Sequence, residues 1–181
     1  MSYSEKDLQI VIEDIEKIKK RPDMYIGETK WSAAMHLAKE ILQNSIDEAM
    51  VKDSKCKLIK FSFNEITKEF VIEDDGRGIP LGVIVESCTI IQASGKFTKG
   101  GQRAYGYAAG KNGVGSTAVN ALSIEYHVES TRDGKTRICD FEFGHLVKDK
   151  TKTSKNKSSG TYVSFIPNEE ILGKIKPVKE D

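Results

Sequence analysis

The chain has 181 residues, 30% charged and 38% hydrophobic, with a formal net charge of +1. That length suits one domain with a sizeable core, and the balanced charge argues against a strongly basic nucleic-acid-binding module. No long apolar run or secretory signal is present, and three scattered cysteines, Cys56, Cys88 and Cys139, support neither a disulfide framework nor a zinc site.

Leu8, Val11, Ile12, Ile15 and Ile18 recur at helical spacing and predict an amphipathic helix over residues 7–20. Asp7 is placed to cap it and Pro22 to stop it. The segment Lys20-Arg21-Pro22-Asp23-Met24-Tyr25-Ile26-Gly27 predicts only a loop. A longer helix is predicted over 31–51. On it Glu40, Asn44 and Asp47/Glu48 share one face. That polar stripe fits two readings: a solvated row of ion pairs, or a metal and a water held side by side against a phosphate.

Two apolar runs, Leu58 to Phe63 and Phe70 to Ile72, bracket a polar turn at 64–68 and predict a hairpin. The second run ends in Glu73-Asp74-Asp75-Gly76-Arg77-Gly78-Ile79-Pro80. Carboxylates at a strand end, followed by glycines, present an acceptor and bare backbone to a flat polar ring. A tight Asp-Gly turn with a solvated Arg is the plainer reading. Pro80 suits the first turn of a helix, predicted over 81–94.

Residues 94–116 are glycine-rich and carry Lys96 and Lys111. Their amide hydrogens can converge on an anion, and a helix predicted over 116–122 follows directly. No GxxxxGK[ST], VAIK or HRD element occurs, so this is neither a P-loop nor a protein kinase. Strands are predicted at 124–130, 136–143 and 161–166, with a hairpin turn at 131–135. The lysine-rich stretch 148–157 has two readings, a solvated loop, which is the commoner, and a DNA-contacting loop. Residues 168–181 begin an element too short to build a core.

Three motifs stand in order: Glu40-Ile41-Leu42-Gln43-Asn44-Ser45-Ile46-Asp47-Glu48, then Asp74-Asp75-Gly76-Arg77-Gly78-Ile79-Pro80, then Gly110-Lys111-Asn112-Gly113-Val114-Gly115. Together they resemble the ATP-binding (GHKL-type) domain of type II DNA topoisomerases, of the gyrase B and topoisomerase IV kind. The superfamily also holds large heat-shock chaperones, mismatch-repair MutL and histidine kinases. The segment at 20–27, Val119-Asn120-Ala121-Leu122-Ser123 and Gly160-Thr161 are similar to the topoisomerase pattern. The resemblance covers about residues 15–168.

It implies an α+β two-layer sandwich, a mixed, mostly antiparallel sheet with helices on one face (the Bergerat type). One ATPase domain over 1–168 would carry an N-terminal arm at 1–14 and an ATP lid at 95–115, and residues 169–181 would start a missing domain. ATP and Mg²⁺ are the implied ligands. By the resemblance, Glu40 polarises the attacking water and Asn44 binds Mg²⁺. Asp74 accepts from the adenine amine, with Thr161 beside it. Gly76, Gly78, Ile79 and Pro80 line the base. Lys96, Gly110, Lys111, Asn112, Gly113, Val114 and Gly115 wrap the phosphates. Glu48 pairs with Arg77 in a structural role. Arg132 and Pro80 match positions that contact aminocoumarin inhibitors in bacterial relatives.

The implied partners are DNA through the full-length enzyme, a DNA-cleaving subunit or domain, and a second copy in the homodimer of the full-length enzyme, with the state of the fragment alone left open. The implied compartment is the cytoplasm. The sequence departs from the family at Gln43, at Ala108-Ala109 and in its short arm, where Tyr3 is the obvious candidate to reach a partner's site. It also lacks the second domain whose lysine reaches the γ-phosphate. Binding is therefore expected to survive while turnover is weak. Two alternatives are a nucleotide-dependent interaction module and another ATPase of the superfamily, of the chaperone or repair type.

Overall fold

The computed structural model describes residues 5–27, 30–91, 115–153 and 158–177. Helix α1 spans Glu5–Lys20, the short α2 Asp23–Ile26 and α3 Lys30–Met50. The hairpin of β1 (Ile59–Phe63) and β2 (Phe70–Asp74) follows, then a 3-10 turn at Leu81–Val83 and α4 (Ile84–Thr89). Helix α5 (Gly115–Ala121) leads into β3 (Ser123–Arg132), β4 (Lys135–Glu142) and β5 (His145–Thr153). Then come β6 (Gly160–Pro167) and one helical turn, α6 (Glu169–Leu172).

The strands form one sheet in the order β1-β2-β6-β3-β4-β5. Among the described residues every pairing is antiparallel, which corrects the expected mixed sheet. Strands β2 and β3 do run the same way, but β6 lies between them and opposes both.

Alternate residues of a strand share a face. In β2 that face buries Phe70 and Ile72 and therefore also Asp74. Ile15 and Ile18 of α1, Leu37 and Ile41 of α3, and Val119 of α5 close the core over it. Phe70 stacks on Phe165 of β6, with centroids 5.1 Å apart and planes at 10°. Trp31 of α3 meets Phe63 edge-on at 5.1 Å. Each large side chain buried here contributes about 1.5–3 kcal/mol. The consequence for function is that one polar residue, Asp74, is carried into the interior by the same alternation that builds the core.

Several sequence expectations are corrected. Helix α1 already begins at Glu5, so Asp7 lies inside it and is not its cap. Residues 20–27 do not remain a loop: Pro22 sits at φ −61°, ψ −35°, ready for a helix, and α2 runs until Gly27 at φ 73° ends it. The helix expected over 81–94 is a 3-10 turn plus α4, and it stops where β-branched Ile90 turns extended. The expected lysine-rich loop is a strand as far as Thr153. All nine residues of β5 are exposed, so no hydrophobic alternation marks it; the register with β4 does. Residues 154–157 lie outside the described part. Leu172 and Ile175 are buried in the common core, so residues 169–175 pack against it.

Candidate active site

Asp74 is the last residue of β2 and pairs with Thr161 of β6. It is 7% exposed. The Ser45 hydroxyl of α3 donates to its Oδ2 at 2.7 Å, and the Gly76 backbone N–H to its Oδ1 at 3.0 Å. Burial pushes the Asp74 carboxyl above its ordinary 3.8, opposed by Ser45 and by the backbone of Gly76 and Thr161. A carboxylate has roughly four acceptor positions, so acceptor capacity remains in a water-poor setting. The neighbouring acid does something else. Asp75 is exposed and accepts from the Leu58 and Lys57 backbone N–H groups at 2.9 and 2.7 Å, which holds it below its ordinary range.

The turn after β2 is clamped to α3. The Arg77 backbone N–H and Nε both donate to Glu48 Oε1 at 2.9 Å, and Nη2 donates to Oε2 at 3.0 Å. Burial pushes the Glu48 carboxyl up, but the Arg77 hydrogen bonds and charge outweigh it and leave it below its ordinary 4.5. Gly78 adopts φ +75°, and a Cβ there would sit 2.5 Å from the Thr131 carbonyl oxygen. Its lack of a side chain is thus demanded by β3, whatever approaches from the other side. Three donors hold the carbonyls that follow. Arg132 Nη1 reaches Gly78 O at 3.2 Å, Ser130 Oγ reaches Ile79 O at 2.8 Å, and Arg137 donates to Leu81 O. Arg132 and half-buried Pro80 therefore flank one short stretch of backbone.

Further up α3 lies a second cluster. Glu40 is about one-third exposed, and a Cβ on Gly115 would stand 2.6 Å from its Oε2. His36, one helical turn earlier, has Nε2 3.5 Å from Glu40 Oε1. Asn44 Nδ2 donates to Ser116 Oγ at a long 3.4 Å. Helix α5 is fixed against α4 by Thr117 Oγ1 on Ile90 O at 3.1 Å and Asn120 Nδ2 on Cys88 O at 2.8 Å. Helix α3 thus carries a water-accessible carboxylate and, one turn further on, an amide and a hydroxyl at adjacent positions. Among the described residues no group of three His, Cys, Asp or Glu could hold a metal by itself. Mg²⁺ characteristically keeps several waters and takes few protein oxygens beside substrate phosphates. With Nδ2 engaged by Ser116, the Asn44 amide oxygen fits that need.

The structure therefore brings together Glu48, Asp74, Gly76, Arg77, Gly78 and Thr161 at one end, and Glu40, Asn44 and Gly115 at the other. Helix α3 joins the two ends. Lys96, Gly110, Lys111, Asn112, Gly113 and Val114 lie outside the described residues, as does the Ala108-Ala109 pair. Sequence reasoning passed over Ser45, His36 and Ser116. His36 stands four residues before Glu40, and Ser45 is a hydroxyl among apolar helix positions, so both left a signal. Ser116 left none, since its partner is 72 residues away. A separate cleft of about 790 Å³ lies between α2 and α3, lined by Met24, Tyr25, Met35, Leu42 and Phe61. It includes none of Asn44, Ser45, Glu48 or Asp74, although His36 also lines it.

A buried acceptor at the end of β2, hydrogen-bonded to the same helix that carries a carboxylate and an amide, lies on a helix-covered antiparallel sheet. Residues 32–170 match the family described as histidine kinase-, DNA gyrase B-, and HSP90-like ATPase, and the chain belongs to that family. Within it the chain is similar to gyrase B and its topoisomerase 4 counterpart. It is 38% identical over 178 residues to the DNA gyrase B protein of Enterococcus faecalis, covering 94% of this chain and 27% of that protein. It is 38% identical over 178 residues to the topoisomerase 4 counterpart from Borreliella burgdorferi, covering 96% and 28%. The 43K ATPase domain of Thermus thermophilus gyrase B, crystallised with an aminocoumarin, superposes with a TM-score of 0.72 at 31% identity, covering 92% of this chain and 43% of that one. The chain spans about a quarter of the length of these curated relatives.

Proposed function

We propose that this chain is the ATP-binding and ATP-hydrolysing domain of a type II DNA topoisomerase, and that its nucleotide cycle gates a clamp for DNA strand passage. The observation that carries the reading is the placement of Asn44 and Glu40 on α3 with Asp74 of β2 held against the same helix by Ser45, Asp74 buried and Glu40 wet. Asp74 accepts from the exocyclic amine of adenine, beside Thr161. Gly76 to Pro80 form the wall against the base, braced by Glu48 and Arg77. Glu40 takes the proton of a water aimed at the terminal phosphorus, and His36 orients its carboxylate. Phosphoryl transfer depends on such positioning and on charge neutralisation more than on covalent help. Asn44 would hold Mg²⁺, which supplies charge neutralisation at the phosphate oxygens. Lys96, Lys111 and the run from Gly110 to Gly115 are the proposed phosphate wrap.

Arg132 and Pro80 are the proposed contacts for an aminocoumarin, a reading supported by their shared hold on the 78–80 backbone. The whole enzyme would act as a cytoplasmic homodimer with a DNA-cleaving partner. Among the described residues no helix is long and apolar enough to cross a membrane. The similarity to topoisomerase proteins favours this reading over a chaperone or repair ATPase.

The test is calorimetric titration of a non-hydrolysable ATP analogue with Mg²⁺ into the wild type and Asp74→Asn. Wild-type binding weakened tenfold or more in the variant is expected, since a buried acceptor is lost. Equal binding by both would remove Asp74 from the adenine site.

A further inference from the structure

Asp74 meets charged and polar groups from every element around it. Helix α3 presents the Ser45 hydroxyl and the Glu48 carboxylate. The following turn presents the Gly76 N–H, and β6 the Thr161 backbone. Cys56 and Asp75 stand toward the entry to β1, the first with its thiol pushed up to about 11 by burial and so uncharged, the second exposed. Burial and Glu48 both disfavour a charge on Asp74, although Arg77 takes up most of the Glu48 charge. The donors must hold the carboxylate ionised against these. Among the described residues Ser45 is the one side chain that hydrogen-bonds Asp74, at 2.7 Å, and it is itself 5% exposed. The backbone donors come with the fold; the hydroxyl is a choice of residue.

The ionisation state decides which base fits. A carboxylate only accepts, so it pairs with an exocyclic amine and repels a ring carbonyl at the same place. A protonated carboxyl can donate and tolerates the carbonyl.

We propose that Ser45 is a specificity-determining residue: by donating to Oδ2 it fixes Asp74 as a pure acceptor, which selects an amino-purine such as adenine and rejects a 6-oxo-purine such as guanine. The inference rests on the nucleotide-site reading above. It predicts a role for a residue that touches Asp74 rather than the nucleotide, so Ser45 acts as a positioning residue. Losing the hydroxyl frees the carboxyl to protonate at higher pH and to accept either base.

The experiment is calorimetric titration of non-hydrolysable ATP and GTP analogues with Mg²⁺, from pH 5.5 to 8.5, into wild type, Ser45→Ala and Ser45→Thr. For Ser45→Ala we expect about tenfold weaker binding of the ATP analogue at neutral pH, from loss of a charge-assisted hydrogen bond. The acid limb of its affinity moves up by about one pH unit, the equivalent of that tenfold. Its preference over the GTP analogue narrows most at low pH. Ser45→Thr keeps the hydroxyl and the wild-type limb. Should the added methyl disturb the helix, seen as a lowered melting temperature, the Ser45→Ala limb decides alone. A uniform loss of affinity with an unmoved limb and unchanged preference would assign Ser45 to packing and overturn the proposal. Failure of the wild type to bind either analogue would instead sink the nucleotide-site reading on which the proposal stands.

Discussion

Replacing Gly115 by alanine tests the proposed catalytic end of the site with the least disturbance elsewhere. The new Cβ would lie 2.6 Å from Glu40 Oε2, where ordinary contact begins at 3.4 Å, so the carboxylate must retreat by about 0.8 Å. It can do so, because it is the free end of a side chain about one-third exposed. The fold should therefore survive, with a melting temperature within about 3 °C of wild type, the scale of a loss below 1 kcal/mol. Catalysis should not survive intact. Misplacing a catalytic group by about 1 Å costs on the order of 10²-fold, so a 10- to 100-fold loss in hydrolysis is expected, about 1.4–2.7 kcal/mol in the barrier. The backbone N–H of residue 115 remains, so affinity for a non-hydrolysable analogue should fall by less than about threefold. Single-turnover hydrolysis of radiolabelled ATP with Mg²⁺ reads the rate, and calorimetry reads the affinity. Wild-type hydrolysis in Gly115→Ala would refute the reasoning, because it would mean that the position of Glu40 does not matter to the water.

The remaining predictions concern neighbouring groups. Glu40→Gln should bind the ATP analogue normally and lose about 10²–10⁴-fold in turnover, as expected for a general base; His36→Ala should lose less, and unchanged turnover in Glu40→Gln would reassign the base. Arg77→Ala leaves the buried Glu48 carboxylate without its clamp and should cost about 3 kcal/mol in chemical denaturation, the low end for a buried pair because Arg77 is 37% exposed. The sign with pH follows from Glu48 being held below 4.5: the clamp stabilises above that value and is lost as pH falls through the folded pKa. The melting gap between wild type and Arg77→Ala should accordingly close below about pH 4.5, and a gap that widens there would contradict the clamp. Burial pushes the Cys88 thiol up to about 11 and Cys139 to about 12, so at pH 8 an alkylating reagent should leave both unmodified until the protein unfolds. Rapid labelling of either in the native protein, read by mass spectrometry, would show that the core around them opens.

The three ordered motifs made the ATPase family legible before any fold was known, because each is a run of residues close in sequence. Glu40, Asn44 and Glu48 share a helix face by periodicity alone, and Asp74 ends a strand just before its glycines. The pairing of Arg77 with Glu48 came from the family resemblance, and the structure shows it. What the sequence could not decide was which groups the motifs would meet. Strand β5 is exposed along its whole length, so only its register with β4 distinguishes it from a solvated loop. The last turn of helix reads as the start of something new, yet Leu172 and Ile175 find their burial in the existing core. Gly78 reads as room for a ligand, whereas the Thr131 carbonyl, 53 positions further on, already requires it. Local periodicity and turn chemistry are carried by neighbours in the chain. Burial, and with it the Ser45 hydrogen bond that sets the charge on Asp74, exists only once α3, β2 and β6 are packed together.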